Sequence, residues 1–189
     1  MSPMDAEIDS ILISRERIAA RVAEMGGQIA SAYGDRDPCL TLVAILSGAV
    51  IFLADLIRHI PQEMKLALIA VSSYPGTSVA SRGPKIVRDI EEDLAGRHVL
   101  VVDDILDTGN TLRLVQEAIR EHGPTSLRTA VLLRKRDKAP PEVTVDFVGF
   151  DIEDVFVVGY GLDYDNLYRN YPHIATLRVA APAIASRRS

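Results

Sequence analysis

The chain has 189 residues, 48% hydrophobic and 25% charged, with a net charge of −5. That length suits one domain with a sizeable core, and the acidity argues against nucleic acid as a partner, because nucleic-acid binders usually carry a basic footprint. One cysteine, Cys39, excludes an internal disulfide and any cysteine-based metal cluster, and no apolar run nears the ~20 residues of a membrane span.

The start, MSPMDAEIDS, is acidic and lacks an apolar core, so no signal peptide is expected and the default location is cytoplasmic. Ser14 reads as the N-cap of a helix over 15–33, with Ile18, Val22, Met25, Ile29 and Tyr33 as its apolar stripe. TLVAILSG, 41–48, is a nearly continuous apolar run, the pattern of a strand buried on both faces. AVIFLADLIRHI then reads as a helix stopped by Pro61, and KLALIAVSS, 65–73, as another strand. Residues 74–85, YPGTSVASRGPK, read as a long mobile loop. HVLVVDD, 98–104, is a central strand, and TLRLVQEAIREHG, 111–123, a helix ended by Gly123. Strands follow at 126–135, 145–150 and 155–161. Strand and helix alternate through the middle, which implies an α/β fold: a central parallel sheet flanked by helices. The ends add strands for a small hood over the carboxyl edge of that sheet. About 1–13 and 180–189 are expected as loose ends of a single domain.

One stretch carries the chemistry. In VVDDILDTGNT an apolar strand ends in Asp103-Asp104, adds Asp107, and passes through Thr108-Gly109-Asn110-Thr111 into a helix. Unpaired amides and the dipole at a helix start make an anion site, and the threonine hydroxyls add donors. The carboxylates can accept from sugar hydroxyls or help hold a divalent cation. A ribose bearing a 5′-phosphate meets both demands. The four histidines form no metal or triad spacing.

VVDDILDTGNTL resembles the phosphoribosyl-diphosphate signature of type I phosphoribosyltransferases. The likeness to the hypoxanthine-guanine branch runs over about residues 10 to 178, through SSY, LLRK at 132–135, DFVGFDIEDVFVVGYGLDY at 146–164, and Arg169. The resemblance implies a magnesium-dependent purine salvage enzyme acting on a 6-oxopurine and phosphoribosyl diphosphate, as a homodimer or homotetramer. It implies that Asp103 and Asp104 hold the ribose hydroxyls, in part through magnesium. Asp107 would be the general base or acid near N7 of the purine, and residues 108–111 would bind the 5′-phosphate. Lys135 would reach the 6-oxo group, Phe156 would stack on the base, and Val157 would offer backbone groups to its edge. Asp163 would help bind a second magnesium, and Arg169 would contact pyrophosphate. Leu46-Ser47-Gly48 would form the pyrophosphate loop, with a cis Leu46–Ser47 bond, and Ser73 and Tyr74 would begin a closing flap. Two positions depart from the family pattern: Ser47 stands where Lys or Arg is common, and Asp103-Asp104 where Glu-Asp is common. An RNA-binding regulator of the same fold would want a basic face. A signalling receiver would not follow its acidic pair with TGNT.

Overall fold

The structure is a computed structural model, and it describes residues 8–34, 40–72 and 83–178. Its strands and helices run β1 (Ile8–Ile13), α1 (Arg15–Tyr33), β2 (Leu40–Leu46), α2 (Ala49–Leu56), β3 (Met64–Ser72), β4 (Lys85–Arg88), β5 (His98–Leu106), α3 (Asn110–Glu121), β6 (Ser126–Lys135), β7 (Phe147–Ile152), β8 (Val157–Val158) and β9 (Ile174–Leu177). A single 3-10 turn, Ile57–His59, extends α2 towards Pro61.

Six strands form the main sheet in the order β4-β3-β2-β5-β6-β7. All neighbours are parallel except β4, which runs antiparallel along the β3 edge. A parallel sheet needs both faces covered, and two apolar clusters do this. Leu42, Ala44, Leu100 and Val102 face α1 and α2 on one side. Val43, Ile45, Val99 and Val101 face α3 on the other. The continuous apolar run of β2 follows from that double burial. The α1 stripe is buried as its spacing predicts, Ser14 accepts from the Arg17 amide at 3.4 Å, and Gly34 ends the helix at φ 59°.

The second sheet, β1-β9-β8, is antiparallel and forms the hood. Residues 8–13, expected within a loose end, are strand β1 instead, paired along β9. The stretch 155–161, expected as one strand, supplies only the two residues of β8. Gly159, Tyr160 and Gly161 follow at φ 96°, 51° and 104°, a backbone no extended strand sustains. Close approach explains the two glycines. A Cβ on Gly159 would overlap the His173 carbonyl, and one on Gly161 the Gly48 carbonyl. Strand β5 runs two residues beyond the expected 98–104. The flap residues Ser73 and Tyr74 lie outside the described residues.

Candidate active site

The carboxyl ends of β2, β5 and β6 open into a cavity of about 670 Å³, walled on the far side by β8 and the 162–169 segment. This is where open parallel sheets bind ligands. Leu46, Ser47, Gly48, Asp103, Asp104, Asp107, Thr108, Gly109, Thr111, Lys135, Phe156, Val157, Asp163 and Arg169 all line it. Of the expected residues that are described, Asn110 alone does not. Its amide donates to the Thr108 hydroxyl at 3.3 Å, within the loop.

Three zones follow from local structure. At one side α3 begins with Gly109 in the left-handed region, φ 74°, and no side chain caps its first turn. A Cβ at Gly109 would crowd Pro140 and Val143, so glycine is required twice over. The uncapped amides beside Thr108 and Thr111 form the anion zone. Next to it, the loop after β2 carries the cis Leu46–Ser47 bond that the resemblance implies. A Cβ on Gly48 would overlap the Asp104 carboxylate, so this loop and the acidic pair are in direct contact.

The acidic pair is the second zone. Asp103 is only 5% exposed. Its Oδ1 accepts from the Asp104 amide at 3.0 Å, and Asp104 Oδ1 accepts from the Ile105 amide at 2.9 Å. Burial, then the neighbouring Asp104 charge, pushes the Asp103 carboxyl well above the usual carboxylate range. Burial also raises Asp104, against hydrogen bonds and the Arg169 charge that favour its ionised form. A hydroxyl donor or cation brought to this pair relieves that desolvation and repulsion. Across the cavity Asp163 Oδ1 lies 2.9 Å from the Arg169 guanidinium, which also donates to the Gly161 carbonyl and to Asn166.

The third zone joins β6 to the hood. Lys135, 7% exposed, donates to Asp107 Oδ2 at 2.9 Å and to Asp154 Oδ1 at 3.1 Å. Burial works against its charge, but these two carboxylates outweigh it and raise its pKa. Asp107 Oδ1 is buried without a hydrogen-bond partner, with the Lys138 ammonium 3.8 Å away. Phe156 is 49% exposed and packs edge-on to Tyr164, which leaves ring surface open beside buried Val157.

Sequence reasoning missed Asp154, Lys138, Asp165 and Asn166. The last two line the cavity on a tight turn at φ 53° and 61°, and the turn-rich DYDN string was the available signal. Asp154 gave no signal, because only the fold brings it to Lys135, whereas Lys138 follows Lys135 in the turn after β6, within the basic run RKRDK.

A family model described as Phosphoribosyl transferase domain matches residues 9–165. A hypoxanthine-guanine phosphoribosyltransferase of Mycobacterium tuberculosis is 42% identical over 175 residues, 90% of this chain and 87% of the relative. This chain belongs to the hypoxanthine-guanine phosphoribosyltransferase family. The Bacillus subtilis member is 40% identical over 94% of this chain and 97% of its own length. A crystal structure of a hypoxanthine phosphoribosyltransferase from Staphylococcus aureus superposes with a TM-score of 0.86 at 35% identity, covering 94% of this chain and 95% of that one. In this type I phosphoribosyltransferase, then, β5 and α3 carry the family signature, and the hood carries β8.

Proposed function

We propose that this protein is a purine salvage enzyme that transfers the 5-phosphoribosyl group of phosphoribosyl diphosphate to hypoxanthine, guanine or both, releasing the nucleoside 5′-monophosphate and pyrophosphate. One observation carries the reading. A single cavity joins an uncapped helix start, a buried acidic pair and a lysine–aspartate pair beside an open aromatic face. These are the complements of a phosphate, a ribose and a 6-oxopurine, in the order in which a nucleotide joins them.

The residues then divide the chemistry. The 108–111 loop holds the 5′-phosphate, while Asp103 and Asp104 accept from the ribose hydroxyls. Phe156 stacks on the base, Val157 meets its edge, and Lys135 donates to the 6-oxo oxygen. A ring nitrogen of the base attacks C1 of the ribose as the bond to pyrophosphate breaks. Asp107 takes or returns the proton at N7, for which its unpartnered Oδ1 is available. Proton transfer by a placed carboxylate contributes typically ~10²–10⁴-fold. Arg169 and the Leu46-Ser47-Gly48 amides face the departing pyrophosphate and stabilise its developing charge.

Magnesium suits this donor set, because Asp103, Asp104 and Asp163 offer hard carboxylate oxygens. Among the described residues no group of three or more such ligands is placed to hold a metal alone, so substrate oxygens would share the coordination. Bound there, the ion would neutralise charge developing on the leaving group.

The apolar side chains that β3 and α2 leave exposed, Leu66, Leu68, Val50 and Ile51, support self-association as a homodimer or homotetramer. No described helix is long and apolar enough to cross a membrane. The test is turnover of hypoxanthine, guanine and xanthine with phosphoribosyl diphosphate and magnesium. Formation of the 5′-monophosphate from hypoxanthine or guanine is expected. No turnover of any 6-oxopurine at saturating diphosphate overturns the reading.

A further inference from the structure

The Lys135 ammonium has three protons to donate. Two are committed, one to Asp107 Oδ2 at 2.9 Å and one to Asp154 Oδ1 at 3.1 Å. Asp154 lies on the loop between β7 and β8, two residues before Phe156. It also pairs with Lys138 at 2.7 Å, and Lys138 in turn stands 3.8 Å from Asp107. Two cations and two carboxylates thus form a ring at the mouth of the base zone. The Asp154–Lys138 contact is half-exposed on both sides and worth little alone. The Asp154–Lys135 contact is different, because the lysine side chain is only 9% exposed and lines the cavity.

Asp107 and Asp154 compete for the same ammonium. Without Asp154, Lys135 has one carboxylate left and must lean on Asp107, the group needed at the ring nitrogen. Lys138, freed from Asp154, would add a second cation there. Asp154 also ties the loop that carries Phe156 to the end of β6. We propose that Asp154 is a positioning residue, which holds the Lys135 ammonium beside the base pocket so that it meets the 6-oxo oxygen while Asp107 Oδ1 is left for the ring nitrogen. This rests on the functional reading above and adds a residue to it. Hydrogen bonds from Lys138, then Lys135, hold the Asp154 carboxyl below its ordinary range.

The experiment measures calorimetric binding of two ligands to the full chain: inosine 5′-monophosphate, and ribose 5-phosphate, which lacks the base. Asp154→Asn is expected to weaken the nucleotide about tenfold, the scale of one charge-assisted hydrogen bond, and to leave ribose 5-phosphate unchanged. Asp154→Glu should restore most of the loss. In a Lys135→Met background, Asp154→Asn should cost nothing further, because the two act through one contact. Equal losses on both ligands, undiminished nucleotide binding by Asp154→Asn, or an undiminished loss in the Lys135→Met background would each overturn the proposal. Wild-type protein that binds ribose 5-phosphate but no 6-oxopurine nucleotide overturns the functional reading, and this proposal with it.

Discussion

Two helices of this protein begin in opposite ways. At α1 the Ser14 hydroxyl accepts from the Arg17 amide and closes the helix start. At α3 the cap is Gly109, no side chain caps the first turn, and the helix start lines a cavity. A closed start stabilises its own helix; an open one leaves donors and dipole for a ligand. The difference is chemical. Ser14 offers an oxygen, whereas Gly109 offers only a conformation.

That contrast can be broken from either side. The largest effect is expected at Asp107, which leads into the open start. Asp107→Asn keeps size and hydrogen bonding but not basicity, and should lower kcat about 10²-fold. Substrate affinities and thermal stability should move far less. An unchanged kcat, with chemistry shown to be rate-limiting, would remove Asp107 from proton transfer. Next is Thr111→Asp, which places a carboxylate among the open amides without disturbing Gly109. Repulsion of the 5′-phosphate should weaken phosphoribosyl diphosphate about 30-fold. Unchanged affinity by titration would mean that the phosphate sits elsewhere.

At the closed start the outcome should invert. Ser14→Ala should cost about 1 kcal/mol of stability in denaturant and leave kcat/KM untouched. A loss of activity in the folded variant would erase the distinction between the two ends. The smallest effect is expected at Asp151, near the end of β7. Arg134 donates to it at 2.7 Å, and Arg136 adds a second bond. The Arg134 hydrogen bond, against the effect of burial and with help from Arg136, lowers the Asp151 pKa from its ordinary range to about 2. A depressed carboxylate contributes stability above its unfolded pKa and loses it as pH falls through the folded one. Wild type should exceed Asp151→Asn by at most about 1 kcal/mol at neutral pH, after solvent screening. That margin should close between about pH 4 and about pH 2. A margin that persists below pH 2 would separate it from this ion pair.

Much of the main sheet was legible because its cause is local. Continuous apolar runs mark doubly buried strands, and TLVAILSG and HVLVVDD matched β2 and β5 within two residues at their ends. The α1 stripe and its serine cap were likewise written in one stretch of chain. The hood was harder. Strand β1 looked like a loose end because its partner is β9, and Ser10 pairs with Thr176 at a separation of 166 residues. VFVVGYG read as a strand because its composition suits one. What shortens it is the pressing of Gly159 and Gly161 against His173 and Gly48, contacts that no periodicity contains. The same holds for the site. Asp103 to Thr111 form one string and were visible as such, whereas Asp154 meets Lys135 across 19 residues and two loops.

The hood has a consequence for the order in which the molecule can be assembled. Its sheet joins β1, the first described strand, to β9, the last. Every strand of the main sheet lies between Leu40 and Ile152, so that layer can pack without β1 or β9. β1 must wait for β9, and packing the main sheet first shortens the loop that their pairing has to close. Phe156 and Val157 enter the cavity on the hood side. A chain that folds in this order presents the phosphate end of its pocket before it can grip a base, and selectivity for the base is the last property to mature.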